Sequence, residues 1–553
     1  MAAAGLGLYE GCFGGRFERG ASAALTFSVA AVMPTAADRK ESALLEAFQG
    51  RGFTKAVYDA ASGVLLDPER VRAARAEELG YARKHGVWEK VPRAQARARG
   101  KKVIGVKWVD IDKGDPGSPA VRSRLVAKEL RAFAPWIPQD DLFAATPPAA
   151  ALNLLPSAMA SRRSRAGQRY KLAFLDVRRA FFYAAATEEV YVELPPEDRA
   201  GGEDLVGLLR RSMYGTRSAA KNWQVQPGRD ISALGFRQAK SSPCLFWHAE
   251  LDARPVVHGD DIWALADGKS LAALMPKLHA AYELKVDGIL GPDAADDKAV
   301  RSLNKLLRFV PGVGIEIEAD PRHAEIVPGE LGLTRGPRRP VTTPGSKADA
   351  EANGADPTKL EDASEGTAYR GISARGLYLS ADRPELRFAT KEAARRMSAP
   401  TRGDLSGLKR IGRFLLAKPR LVQTLAFQGE FVAPRVYPGG GEVRAAPAWI
   451  YALVDSNWAD CRLTRKSTSG GALLHGDHVL ATWSVTQSVQ ALSTGEAELY
   501  AVLKGTVEAL GLSAVAEELG MVLRAPRVGS DSTAAKGTCS RHGLGKLKHL
   551  ELG

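Results

Sequence analysis

The sequence predicts an α+β chain of several domains, and three observations carry that prediction. Its 553 residues exceed what one hydrophobic core supports, so about three or four domains are expected. Apolar runs of strand length alternate with stretches of helical composition, the pattern of mixed α and β layers. Aspartates break or close such runs, Asp176 within Lys171-Leu172-Ala173-Phe174-Leu175-Asp176-Val177 and Asp455 after Trp449–Val454, which puts carboxylates towards strand ends. A hydrophobic content of 45% and a charged content of 25% are ordinary for globular protein.

In chain order, residues 1–55 are Gly- and Ala-rich and are expected to form a disordered leader. Their apolar run Ala21–Met33 is too short to span a bilayer and sits late for a secretory signal, and no other stretch is expected to reach transmembrane length. Asp67–His85, dominated by Ala, Glu and Arg, predicts a helix with Pro68 in its first turn and Leu79 and Tyr81 as apolar contacts. Val103–Val109 and Val121–Lys128 read as two strands, separated by turn residues Gly114, Asp115, Pro116 and Gly117. Basic stretches occur at Arg93, Arg97, Arg99, Lys101 and Lys102, and at Arg162, Arg163, Arg165, Arg169 and Lys171; with a net charge of +14 they suit a polyanionic partner. The cysteines, Cys12, Cys244, Cys461 and Cys539, show no paired spacing for zinc and are too sparse for a disulfide scaffold, so a reducing compartment is expected.

The acidic residues carry the chemistry. In Pro255–Leu265, apolar residues flank Gly259-Asp260, a pair suited to a tight hairpin turn because both residue types tolerate positive φ. Asp260 and Asp261 then stand at a hairpin tip, where mutual repulsion favours a cation between them. With Asp176 on a neighbouring strand they make a set able to hold two Mg²⁺ ions about 3.5–4 Å apart, the clamp for in-line phosphoryl or nucleotidyl transfer. Residues 335–362 lack apolar periodicity and read as a linker, and Leu405–Leu416 predicts a basic amphipathic helix able to lie along a duplex backbone. Ser493-Thr494-Gly495-Glu496 predicts a capping box opening a long helix, with Glu498 in its first turn and Leu499, Val502, Leu503, Val507 and Leu510 facing a core. Arg527–Ser530 leads to Asp531, and Glu551 follows a Lys-rich turn near the C-terminus.

The ordered series Leu175–Phe181, Glu189–Pro196, Arg211–Gly215 with Trp223, and Gly259–Asp261 resembles the reverse transcriptase of copia-type LTR retrotransposon polyproteins. Asp455–Asp460, Arg465–Gly470 and Ala491–Glu498 resemble the ribonuclease H that follows it in that family. The resemblance spans roughly residues 56–553. It implies fingers and palm at 56–334, a thumb- or connection-like region at 363–446 and a ribonuclease H-like α/β domain at 447–553. It further implies an RNA-directed DNA polymerase using Mg²⁺, with Mn²⁺ as an alternative, at Asp176, Asp260 and Asp261. The second metal centre would be Asp455, Glu498 and Asp531, with Glu551 as the final acid where the family has Asp. Arg124 and Lys128 fall where a fingers hairpin reaches the triphosphate of an incoming nucleotide. Phe181 corresponds to the aromatic gate against ribose, and Tyr214, Gly215 and Arg217 to the nucleotide- and template-proximal segment. The implied partners are an RNA template, a DNA primer, an RNA–DNA hybrid and deoxynucleoside triphosphates, in an intracellular, non-membrane setting.

This chain has His258-Gly259 where the family has Tyr-Val, and Ser218 and Ala220 where it has Gln and Pro. An inactive relic that still binds nucleic acid is therefore the competing expectation, opposed by the intact carboxylates. With no zinc knuckle, protease or integrase segment recognisable, the sequence reads as the C-terminal portion of a polyprotein or a fragment of one.

Overall fold

The computed structural model describes residues 56–541 apart from 115–116, 130–141, 200–203, 335–339, 346–355, 361, 429–434, 437–441, 444–448 and 462. The expected leader, Asp115 and Pro116 of the predicted turn, and Glu551 all lie outside the described residues. The chain divides into two compact units, one containing the residues up to Tyr81 with Lys107–Leu125, the other Ala82–Val106 with everything from Val126 onward.

The first unit is built on helix α1 (Pro68–Lys84) and the hairpin of β1 (Val106–Asp112) and β2 (Val121–Ala127). Buried acids tie helix to hairpin. Asp110 accepts from Arg75 Nη2 at 2.8 Å and from Ser123 Oγ at 2.6 Å, and Glu78, 1% exposed, accepts from Arg124 at 3.0 Å. Asp59 caps the preceding turn through the amides of Ala61 and Ser62 and takes Asp112 N at 2.6 Å; these bonds hold its carboxyl down at about 2.

In the second unit the chain forms α2 (Ala149–Ser161), β3 (Tyr170–Val177), α3 (Ala219–Ala233), β4 (Arg254–His258), β5 (Asp261–Asp267), α4 (Gly268–Ala281) and β6 (Leu284–Leu290). The four strands make an antiparallel sheet in the order β4-β5-β3-β6. Both faces of β3 and β5 are covered, which is why their sequences are continuously apolar instead of alternating. Ala173, Leu175, Ile262 and Ala264 face a core closed by Trp223 and Ile231 of α3 and by Leu271, Leu274 and Leu278 of α4. Leu172, Phe174, Trp263 and Leu265 face α2 and a second core that continues into the C-terminal strands.

Next come β7 (Ala299–Ser302), β8 (Lys305–Val310), β9 (Gly314–Ala319) and α5 (Pro321–Glu330). The described part of the predicted linker holds no helix, and only an isolated bridge, Lys359 to Thr401. After it come α6 (Ala363–Ser380), α7 (Arg387–Ala394), α8 (Arg402–Ala417) and β10 (Val422–Ala426). Strand β10 closes the sheet β7-β8-β9-β10, so residues from both sides of the linker share one sheet. Helix α5 shares a core with α6 and α8 through Ala324, Val327, Tyr369, Ile372, Leu408 and Phe414. A reciprocal capping box between Thr401 and Asp404 starts α8.

The C-terminal layer contains β11 (Ile450–Ser456), β12 (Thr468–His475), β13 (His478–Thr486), α9 (Thr494–Glu518), β14 (Arg527–Gly529) and α10 (Thr533–Ser540). Its sheet order is β13-β12-β11-β14, with β14 parallel to β11 and the other pairs antiparallel. Its core residues Ala452, Val454, Leu473, Leu480, Leu512, Val515 and Leu519 belong to the cluster that includes Phe174 and Trp263.

Three sequence expectations are corrected here. Helix α9 packs through Ala497, Ala501, Gly505 and Ala509, while Leu503, Val507 and Leu510 are 59%, 44% and 54% exposed. The helix lies too close to the sheet for large side chains: a Cβ on Gly505 would stand 2.4 Å from Val454 Cγ1. The expected capping box is half formed, because Ser493 Oγ accepts from Glu496 N but the Glu496 carboxylate takes Leu492 N at 2.9 Å. Third, α9 is long and apolar enough to cross a membrane by length and composition, although much of it is buried on the sheet. The second basic stretch is also used internally: Lys171 pairs with Asp293 and Asp296, and Arg165 and Arg169 lie over the rings of Trp247 and Phe427.

Candidate active sites

The hairpin of β4 and β5 turns on Gly259 and Asp260, with Gly259 at φ +65°, a conformation glycine adopts at no steric cost. The turn is held from two sides: Trp223 Nε1 donates to Gly259 O at 2.6 Å, and Val177 N donates to Asp260 O at 2.8 Å. Trp223, buried on α3, thereby positions the acids next to it.

On the ladder Asp261 stands opposite Asp176 on one side and His258 on the other. Burial pushes the Asp261 carboxyl up to about 7, and the charges of Asp260, Asp176 and Asp287 push the same way. Burial likewise lowers the His258 imidazole. Asp287 is an acid that sequence reasoning missed. It sits where the β6 ladder slips between Val286 and Gly288, and its neighbour Lys285, the ladder partner of Asp176, pairs with it at 2.6 Å. An Asp-Gly pair inside an apolar strand was the available signal for that bulge.

Phe181 lies in a 3₁₀ turn, Ala180–Tyr183, and its half-buried ring meets Tyr214 at a centroid distance of 4.9 Å. Gly215, at φ +83°, passes so close to the strand end that a Cβ would stand 2.1 Å from Ala127 O; Tyr214 O accepts from Ala127 N. Arg217 N donates to Glu129 at 2.8 Å. Lys128 is exposed at the end of the hairpin strand, whereas Arg124 is committed to Glu78. The departures from the family pattern have local places: Gly259 supplies the positive φ, and Ser218 is the buried residue before α3.

The second group lies at the end of β11, in the first turns of α9 and just beyond β14. Asp455, Glu498 and Asp531 each offer an oxygen within 4.8 Å of the other two, and among the described residues no other group of three ligand types meets that distance. Glu498 is 5% exposed; its Oε1 accepts from Ser456 N at 3.1 Å and Oγ at 2.9 Å, while its Oε2 is buried with no hydrogen-bond partner. Its carboxyl is raised, first by burial and further by Asp455 and Asp531, against the Ser456 bonds. A buried acceptor left open beside two more carboxylates, with hard oxygen donors throughout, fits a divalent cation such as Mg²⁺.

Residues 87–289, which contain Asp176, Asp260 and Asp261, match the family described as reverse transcriptase (RNA-dependent DNA polymerase), so this part of the chain is a reverse transcriptase domain. The similarity extends well past it. The Retrovirus-related Pol polyproteins from transposons RE1 and RE2 of Arabidopsis thaliana are 24% and 25% identical over 503 residues, covering 88% of this chain and 31% of each relative. That from transposon TNT 1-94 of Nicotiana tabacum is 24% identical over 488 residues, covering 85% of this chain and 33% of the relative. Over most of its length the chain is thus similar to copia-type retrotransposon polyproteins, and it spans about a third of the length of these relatives.

Proposed function

We propose that this chain is an RNA-directed DNA polymerase whose C-terminal layer is a ribonuclease H that degrades RNA in an RNA–DNA hybrid. The observation that carries the reading is the presence of two separate carboxylate groups, one on a hairpin of the reverse transcriptase domain and one 4.8 Å cluster on the C-terminal sheet. In each, bound Mg²⁺ would supply charge neutralisation at phosphate and a more acidic nucleophilic hydroxyl or water. Asp176, Asp260 and Asp261 would hold the cations that face the primer 3′-hydroxyl and the triphosphate, and Trp223 holds the turn that carries Asp260. Asp455, Glu498 and Asp531 would hold the cation that faces the RNA phosphodiester, with Ser456 fixing one Glu498 oxygen so that the other stays open to it. The intact acids in both groups weigh against the inactive relic.

Primer extension on an RNA template and cleavage of a labelled hybrid, both with Mg²⁺, test the proposal on one preparation. Asp260→Asn is expected to lower extension by at least about 100-fold and spare cleavage, and Asp455→Asn to do the reverse. Full extension by Asp260→Asn would refute the polymerase assignment, and full cleavage by Asp455→Asn the nuclease assignment.

A further inference from the structure

A cavity of about 340 Å³ opens beside the C-terminal carboxylates, with Asp455, Asn457, Thr468 and Trp483 on one wall and Arg387 and Phe388 of α7 on the other. The α7 residues come from the region before the C-terminal layer, and nothing in the catalytic chemistry above uses them.

Among the described residues Arg387 has no counter-ion. Its Nε donates to Thr482 Oγ1 at 3.4 Å and its Nη2 to Ala381 O at 3.3 Å, both neutral and long. Among the described residues no carboxylate lies within ion-pair distance of it; Asp382, which acts on it electrostatically, is paired with Lys305 at 2.7 Å. Burial already works against its charge, and a half-buried guanidinium with five donors is costly to leave without an anion. Glu385, also at this cavity, does not fill the role, because it holds Arg383 at 2.6 Å. One turn along the same helix, Lys391 donates to Thr468 Oγ1 at 3.0 Å and stands 4.6 Å over the Phe388 ring, tying α7 to the opposite wall. The Phe388 ring is 43% exposed, free to stack on a sugar or base.

We propose that Arg387 and Phe388 form a subsite for the nucleic-acid strand held at Asp455, with Arg387 taking a backbone phosphate and Phe388 the adjoining sugar or base. This rests on the reading of the Asp455 cluster as a hybrid nuclease, and it makes helix α7 a positioning element for that site. A guanidinium suits the role because its planar fork can donate twice to one phosphate.

The test uses the full chain and a labelled RNA–DNA hybrid, with Arg387→Gln, Arg387→Lys and Phe388→Ala. Arg387→Gln is expected to raise KM for cleavage about tenfold with kcat within about twofold, as for a lost charge-assisted hydrogen bond. It should also flatten the dependence of log affinity on log salt, measured in EDTA, by about one phosphate. Arg387→Lys should restore the salt slope but not all of the KM, and Phe388→Ala should raise KM with an unchanged slope. An unaltered salt slope in Arg387→Gln, or a fall in kcat alone, would overturn the subsite. If the native chain does not cleave hybrid at all, the nuclease reading fails, while the salt slope in EDTA still decides whether Arg387 meets a phosphate.

Discussion

Asp261 and Glu498 are both acids in the company of others, three for Asp261 and two for Glu498, and the chain stabilises them by different means. Asp261 is fixed by main chain: a hairpin turn, a ladder partner that is itself an acid, and Trp223 clamping the turn from outside. Its carboxyl is driven up to about 7. Glu498 rides on a long helix, and Ser456 compensates part of its burial with two hydrogen bonds to one oxygen. Placement by backbone leaves the repulsion among the acids unrelieved, whereas placement by side-chain bonding relieves some of it. The first site is therefore the one whose stability should respond more strongly to removal of charge.

Substitution of a single acid in each site exposes the difference. Asp261→Asn should lower primer extension by at least about 100-fold and, in EDTA at pH 8, raise the melting temperature by several degrees, because it deletes a half-buried charge beside three other acids. Asp531→Asn should abolish hybrid cleavage yet leave the metal-free melting temperature within about a degree, since Asp531 is exposed. Thermal melts of both variants in EDTA check this, and equal shifts would erase the contrast.

A smaller effect is expected beside the first site alone. Phe181 is braced by Tyr214, so Phe181→Val should raise ribonucleotide relative to deoxyribonucleotide incorporation by about tenfold, equivalent to about 1.4 kcal/mol of discrimination. Single-nucleotide extension with each substrate measures it. An unchanged ratio would make Phe181 a packing residue only.

Much of this was legible in the chain. The continuous apolar character of Leu172–Leu175, the Gly259-Asp260 turn and the order Asp455, Glu498, Asp531 are local signals, and the structure places those residues on the elements they predict. What escaped was set by distance or by size. Nothing local announces that Val422–Ala426 pairs with Gly314–Ala319, because the partners are separated by a linker and the four helices α5 to α8. Hydropathy placed Leu503, Val507 and Leu510 inside, but close approach of α9 to the sheet selected the Ala and Gly face instead. Asp287 was hidden because a bulge breaks the period on which strand reading depends.

The last effect is on stability alone and concerns the contact through which the two sites share one core. Ser157 Oγ on α2 lies 2.8 Å from His475 Nδ1 and 2.8 Å from His478 Nδ1, and all three residues are at most 1% exposed. His478 Nε2 lies 2.6 Å from Ala426 O, an acceptor only, so that nitrogen carries the proton and Nδ1 accepts from Ser157. The hydroxyl has one proton, so it must accept from His475 Nδ1–H, which leaves His475 Nε2 as the acceptor facing Arg162 Nη2 at 3.4 Å. The chain of bonds is thus consistent with both rings neutral. Burial lowers the His478 value below that of a free imidazole, outweighing the hydrogen bond to Ala426 and the charge of Asp477, which both favour protonation. The sign follows from linkage: below about pH 6.5 the unfolded chain binds a proton that the folded ring resists, so this contribution is present above that pH and is lost as pH falls. Ser157→Ala should cost about 1–3 kcal/mol at pH 7.5 by stranding ring nitrogens. His478→Gln should remove up to about one proton, about 1.4 kcal/mol per pH unit, from the acid limb of the stability profile. Chemical denaturation between pH 5 and 8 measures both; parallel native and His478→Gln profiles would mean that the ring titrates alike in the folded and unfolded chains.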